Sequence, residues 1–187
     1  SRILAQNPSI LSLPLQERIN SPKNVVYQGL PASYQAQAAQ YMFPNGSKLH
    51  HVATFEDVFR HVAQGNADIG VIPIENSSIG TINEVCDLLV KYNLYISHSH
   101  INYIRHCLAG CPNATMDTIK QAYSIEPALE QCQQYLKLHG LERCKAANTA
   151  VAAQQVRDWN NPTRAAICSE DAAKLYGLQV LAAAIND

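Results

Sequence analysis

The chain has 187 residues, 47% hydrophobic and 16% charged, with 14 basic residues against 15 acidic ones, enough apolar content to bury a core in one domain or in two small lobes. The near-neutral balance, without any Lys/Arg block, excludes a partner held by its phosphate backbone, and no apolar stretch approaches the roughly 18 residues of a membrane span. Neither nucleic acid nor a membrane is therefore expected as a partner.

Residues 1–24 lack the basic start, apolar core and small-residue cleavage site of a secretory signal. With Pro8, Pro14 and Pro22 and mixed polarity, they read as a linker or the remnant of an upstream region. From Asn24 onward short β-type runs alternate with helix-type segments, so the expected fold class is α/β, with mostly parallel sheets flanked by helices. VVYQG at 25–29 reads as a buried strand ending in a glycine turn, and Ser33 to Phe43 as a helix stopped by Pro44. Thr54 caps a helix in which Phe55, Val58, Phe59 and Val62 recur at helical spacing, with Asp57 at the third position and Gly65 at the end.

ADIGVIPI at 67–74 is the near-continuous apolar run of a central parallel strand. Ile82, Val85, Cys86, Leu89 and Tyr92 mark the helix after it, and LYISHSH at 94–100 completes a βαβ unit. The pattern restarts beyond Asn102. TIKQAYS (118–124), a helix from about Pro127 to His139, RCKAA (143–147), a Thr149-capped helix, AAICS (165–169) and a Ser169-capped helix ending at Gly177 follow in turn. The expected lobes are therefore 25–102 and 103–187. LQVLAAAIND reads as a strand leaving the second lobe toward a destination past Asp187.

Cys86, Cys107, Cys111, Cys132, Cys144 and Cys168 form no CxxC pair and read as reduced core thiols. Cys107 and Cys111 lack the second ligand pair that zinc needs, so no metal is expected. His98 and His100 alternate on a strand as packing or surface residues do.

In open α/β sheets, ligands collect beyond the carboxyl ends of the strands, where backbone N–H groups and helix N-termini face an anion. Two turns qualify. One is Glu75-Asn76-Ser77-Ser78; the other is Gly29-Leu30-Pro31-Ala32-Ser33, with Ser33 as its candidate binding residue. Asn and Ser serve equally well as ordinary helix caps at such turns.

PIENSSIGTINEVCDLL at 73–89 closely resembles the stretch around the Pro-Ile-Glu-Asn-Ser motif of prephenate and arogenate dehydratases. VVYQGLPASY, TFEDVFRHVAQGNADIGV, HCLAG, ALEQC, NTAVAA and AAICSEDAAKLYGLQVL also recur in the order of that family, from about Val25 to Asp187. The resemblance implies a two-lobed clamshell like that of type II periplasmic binding proteins. It also implies a cytoplasmic lyase of L-phenylalanine biosynthesis, without metal or organic cofactor, assembled as a homodimer or larger. Its substrate would be prephenate or arogenate, and a chorismate mutase upstream and a phenylalanine-sensing domain downstream are possible neighbours in a parent protein.

Carried onto this sequence, the resemblance makes Glu75 and Asn76 catalytic, with Ser77, Ser33, Ser124, Gln131, Asn148 and Thr149 binding the substrate. It places a Thr-Arg-Phe motif, holding the proton-donating threonine and a carboxylate-pairing arginine, beyond Asp187, so that these 187 residues are expected to be inactive or weak. Asn161-Pro162-Thr163-Arg164 imitates that motif but precedes a different strand. Further departures are Ala32-Ser33 for the usual Gly-Thr or Gly-Ala, Gln35 for Ser or Thr, Ser124-Ile125-Glu126-Pro127 for Ser-His-Pro-Gln, and Ala147 for an acidic residue. They set a second reading beside the first: a non-catalytic clamshell that binds or senses a small aromatic or carboxylate ligand.

Overall fold

In the computed structural model of the protein, which describes residues 2–5, 19–76 and 80–187, the chain divides into two compact units, Ser1–Asn102 and Tyr103–Asp187. Each is an α/β unit around its own five-stranded sheet.

In the first unit, β1 (Arg2–Ala5), β2 (Asn24–Gln28), α1 (Tyr34–Met42), β3 (Lys48–Val52), α2 (Phe55–Ala63) and β4 (Ile69–Ile72) are followed by a small hairpin. The hairpin consists of β5 (Glu75–Asn76) and β6 (Gly80–Thr81), and α3 (Asn83–Lys91) and β7 (Tyr95–Ser99) complete the unit. The sheet runs β3-β2-β4-β1-β7. β2 is parallel to β3 and β4, whereas β1 is antiparallel to both β4 and β7.

Because side chains alternate across a strand, β2 divides its apolar residues between two cores. Val25 and Tyr27 pack with Ala36, Ala38 and Ala39 of α1, while Val26 packs with Val58, Phe59 and Val62 of α2 and with Val85 and Leu88 of α3. All four residues of β4 are buried as well. Burial of both faces accounts for the unbroken apolar character of these strands.

Helix α2 starts on a capping box. Thr54 Oγ1 accepts from the Asp57 N–H at 3.1 Å, and the Asp57 carboxylate accepts from the Thr54 N–H at 3.3 Å, so two otherwise unpaired donors are satisfied reciprocally. Gly65, at φ +75°, follows the helix in the left-handed conformation that glycine adopts without cost.

The second unit contains β8 (Cys107–Gly110), β9 (Gln121–Ser124), α4 (Glu126–Gln131), α5 (Gln133–Leu138), β10 (Glu142–Lys145), α6 (Thr149–Trp159), β11 (Arg164–Cys168), α7 (Glu170–Leu175) and β12 (Gln179–Ala182). Its sheet runs β10-β9-β11-β8-β12, with β9 parallel to β10 and β11, and β8 antiparallel to β11 and β12. The two sheets share one plan. Three parallel strands are followed by one reversed strand and then by an outer strand that runs with the first three.

Several elements differ from the sequence reading. Arg2–Ala5, taken above as part of a linker, is a strand inside the first sheet. Lys48–Val52 is an edge strand whose polar, mostly exposed KLHHV sequence gives no apolar alternation to detect. The helix expected from Pro127 to His139 is two helices that part at Cys132. Asn148, rather than Thr149, caps α6. The strand in LQVLAAAIND does not leave its lobe: β12 pairs with β8 at the edge of the second sheet.

The capping box gives a direct test of local stability. Thr54→Ala should lower the unfolding free energy by about 1 kcal/mol in urea titrations, and Thr54→Ser should recover most of that loss.

Candidate functional site

In the first unit, the turn after β2 holds Ser33 through local backbone constraints. Gly29 sits at φ +105° and donates its N–H to the Val52 carbonyl at 2.9 Å. A Cβ at Gly29 would lie 3.3 Å from Ser33 Oγ, so glycine is required both for backbone conformation and for the approach of the serine. Ala32, at φ +68°, takes a left-handed conformation uncommon outside glycine. Ser33 then caps α1, its Oγ accepting from the Ala36 N–H at 3.2 Å. The first turn of α1 carries no acidic residue, which leaves the positive end of the helix dipole unopposed within the helix.

The neighbouring strand, β4, ends in Pro73-Ile74 and passes into the β5/β6 hairpin, where Glu75 faces Thr81 and Asn76 faces Gly80. The chain thus makes a hairpin before α3 instead of turning directly into it. The hairpin is anchored by the Ile82 N–H donating to the Ile74 carbonyl at 3.0 Å, and Gly80, at φ +74°, permits its turn. Glu75 is exposed and Asn76 half-buried. Ser77 lies outside the described residues. Ser33, Glu75 and Asn76 therefore all follow the carboxyl ends of two adjacent parallel strands.

The second unit gathers its candidates at the corresponding edge. Ser124 ends β9 fully buried, and its hydroxyl donates to the Ile167 carbonyl on β11 at 2.8 Å. Asn148 is exposed after β10; its Oδ1 accepts from the Val151 N–H at 2.8 Å, and Thr149 opens α6 behind it. Gln131, at the end of α4, places Oε1 2.7 Å from Nε2 of His106, which is buried. Burial lowers the imidazole pKa from its ordinary 6.5, against a smaller opposing effect of the Gln131 hydrogen bond, so His106 favours the neutral form.

Reading the sequence missed three groups here. Asn186 accepts from the His106 N–H at 2.7 Å and donates to the Ile104 carbonyl at 3.2 Å. The Asp187 carboxylate accepts from the backbone N–H groups of Gln134 at 2.9 Å and Tyr135 at 3.4 Å, and the Asp187 N–H donates to the Gln131 carbonyl at 2.7 Å. These bonds cap α5 from a distance of more than fifty residues along the chain and explain why the helical segment breaks at Cys132. The third group is Glu126, which opens α4 and forms ion pairs with Lys145 and Arg143, each at 2.7 Å. The Lys145 ammonium above all, with Arg143, holds the Glu126 carboxyl below the usual carboxylate range. No periodicity or spacing signals any of these long-range bonds.

Cys107 and Cys168 are register partners across β8 and β11. The thiol of each lies beside the other, so that the neighbouring Cys107 and burial push the Cys168 pKa well above the ordinary thiol value, while the Cys168 thiol lowers that of Cys107. The remaining motif-like residues have packing partners. Asn161 Oδ1 accepts from the Thr163 N–H and hydroxyl, both at 2.9 Å, and the Arg164 guanidinium lies 4.5 Å from the Trp159 ring. His100 stacks on Tyr41 and His98 meets Phe43 edge-on. Among the described residues no His/Cys/Asp/Glu group could hold a metal ion, and no helix is long and apolar enough to cross a membrane.

Residues 25–187 match the family model described as prephenate dehydratase. Among curated relatives, an Arabidopsis thaliana protein named arogenate dehydratase/prephenate dehydratase 1, chloroplastic, is 37% identical over 168 residues, which are 90% of this chain and 43% of that protein. The bifunctional chorismate mutase/prephenate dehydratase of Stutzerimonas stutzeri is 33% identical over 172 residues, covering 90% of this chain and 46% of its own. The chain thus spans less than half the length of either relative. Among solved structures, a protein titled a novel type of quorum quenching acylase superimposes with a TM-score of 0.79 at 28% identity, covering 88% of this chain and 60% of the other. The prephenate dehydratase of Staphylococcus aureus superimposes with a TM-score of 0.76, also at 28% identity, covering 88% and 61%.

The lowered pKa of His106 fixes the sign of a pH effect. Its contribution to stability is complete above the ordinary value of 6.5 and declines as pH falls from there toward the lower folded-state value, because the unfolded chain takes up the proton first. Denaturant titrations between pH 7.5 and about pH 5 should show this decline in the wild type, and His106→Asn should flatten it. A slope unchanged by the substitution would assign the effect to other groups.

Proposed function

The chain belongs to the prephenate dehydratase family, and from that premise we propose that it binds prephenate or arogenate and serves the step that makes the aromatic ring of phenylalanine. The observation that carries this reading is the position of Glu75-Asn76: the family stretch falls where β4, buried on both faces, first meets solvent, beside the Ser33 turn.

In the proposed reaction the bond from the ring to its carboxylate breaks and releases carbon dioxide. Its electron pair enters the ring as the C–OH bond breaks, and the departing hydroxide takes a proton and leaves as water. Aromatisation drives the step. The protein must hold two carboxylates in register and deliver a proton to a poor leaving group.

The Asn76 amide suits donation to a substrate oxygen, and the Glu75 carboxyl stands at the same edge as a candidate proton carrier. Ser33, Ser77, Gln131, Asn148 and Thr149 are proposed binding contacts. Ser124 contributes by tying β9 to β11 behind them. Six free thiols agree with a reducing compartment such as the cytoplasm. We further propose a homodimeric or larger assembly, with a chorismate mutase as a possible neighbour in a parent protein. The high TM-score to the structure titled a quorum quenching acylase favours one second reading, hydrolysis of an acyl group at the same edge.

Calorimetric titration with prephenate tests the first reading. Binding should weaken by roughly tenfold in Asn76→Ala, the scale of one hydrogen bond to a charged group. Heats no larger than dilution, or binding unaltered by that substitution, would overturn it, and cleavage of an N-acyl amide without any prephenate binding would favour the second.

A further inference from the structure

The second unit brings two cysteines together at the edge that holds its candidate binding residues. β8 and β11 are antiparallel, and one register pair joins Cys107, the first residue of β8, to Cys168, the last residue of β11. Of the six cysteines these two alone face each other in strand register; Cys144, the third on a strand, stands opposite Tyr123. Side chains of directly opposed residues share one face of a sheet, and their Cα atoms lie about 4.5 to 5.5 Å apart. That spacing falls inside the roughly 4.4 to 6.8 Å that a disulfide bridges. The two sulfurs also sense each other: Cys168 lowers the pKa of Cys107, and Cys107 raises that of Cys168.

The flanking residues tie the pair to the edge. Cys107 follows His106, whose Nε2 lies 2.7 Å from Gln131 Oε1 and whose N–H donates to Asn186 Oδ1. Cys168 precedes Ser169, whose Oγ accepts from the Ala172 N–H at 3.1 Å and caps α7. His106, Cys107, Cys168 and Ser169 are all buried. A bond between the sulfurs would therefore join the entry of β8 to the exit of β11 at the place where both strands meet the loops. Burial slows attack from solution, which suits a bond formed under oxidant load and absent in an ordinary reducing compartment.

We propose that Cys107 and Cys168 are a redox modification site, in which a hydroperoxide converts the pair to a disulfide that staples β8 to β11 and stiffens the edge carrying His106 and Gln131. The Cys107 sulfur attacks the peroxide O–O bond and becomes a sulfenic acid, releasing an alcohol, or water when the oxidant is hydrogen peroxide. The Cys168 sulfur then displaces the sulfenic hydroxyl, which leaves as water with the remaining thiol proton. The two thiols together lose two electrons, and the peroxide bond takes up both. A thiol reductant reverses the step. The assignment is independent of which ligand the edge takes.

The test treats the folded protein with hydrogen peroxide, blocks the remaining thiols by alkylation and maps the peptides by mass spectrometry. A Cys86→Ser/Cys144→Ser background removes the two half-buried cysteines and keeps links between molecules out of the result. The oxidised chain should be lighter by two hydrogens, with Cys107 and Cys168 in one linked peptide pair that dithiothreitol releases. Cys107→Ala and Cys168→Ala should each abolish the link. In the oxidised protein, hydrogen exchange at the His106 and Ala172 amides should slow roughly tenfold and recover on reduction, while the amides of α2 in the other unit stay unchanged. Neither alanine variant, shown to be folded by circular dichroism, should display this oxidant-dependent slowing.

Absence of the link at a peroxide dose that fully oxidises Cys144 in the wild type would overturn the site. A link that forms only after unfolding in urea would overturn it as well, because strand register would then have no part in the pairing. Formation of the link without any change in exchange at His106 and Ala172 would overturn the stiffening of the edge.

Discussion

A strand buried on both faces cannot carry polar chemistry along its length, because each polar side chain would need a partner inside the core. It can carry such chemistry only where it ends. The central strands of both units are of this kind: β4 is buried throughout, and β11 is buried from Ala165 to Cys168. Ser169 follows β11 directly, and Glu75 and Asn76 follow β4 after Pro73-Ile74. This constraint, set by helices packed on both sides of a parallel sheet, puts Ser33, Glu75, Asn76, Ser124, Asn148 and Thr149 at or after the carboxyl ends of strands and makes the loops there the part of the sequence that can vary in chemistry while the strands keep packing.

The second unit shows how such an edge is kept in shape. Its last described residues return across the sheet after β12. Ile185 donates its N–H to the His106 carbonyl at 3.0 Å, Asn186 takes the His106 N–H, and Asp187 caps α5. Those bonds position His106, and His106 in turn engages Gln131. A residue proposed to touch ligand is therefore fixed by residues far from it in sequence. Ser124 has a similar standing. Its hydroxyl donates to the Ile167 carbonyl and so joins two neighbouring parallel strands.

How much of this was legible depended on whether the signal was local. The Thr54 capping box, the helical spacing of Val58, Phe59 and Val62, and the apolar run before Glu75 all lie within a few residues, and the sequence declares them. The family stretch at 73–89 identified the match found over residues 25–187. Lys48–Val52 was not legible because it is held as a strand by pairing with β2 and not by its own composition. The break at Cys132 was not legible because its cause, the Asp187 carboxylate, arrives from the far end of the unit. The same holds for Arg2–Ala5. Four residues without alternation or flanking turn signals become a strand only because β4 and β7 leave a place between them.

That place has a consequence of its own. Parallel strands present all their carboxyl ends at one edge of a sheet, and a strand inserted against them presents its amino end there instead. The edge then receives residues from two directions: loops that follow the parallel strands, such as Gly29–Ser33 and Glu75–Asn76, and the residues that lead into the reversed strand. In the second unit the leading residue is His106, with its buried imidazole beside Gln131. In the first it is the segment at Arg2, the partner of Ile72. Because the reversed strand is hydrogen-bonded on both sides, whatever it brings to the edge is held as firmly as the sheet itself, whereas a residue on a following loop is held only by the turn that carries it.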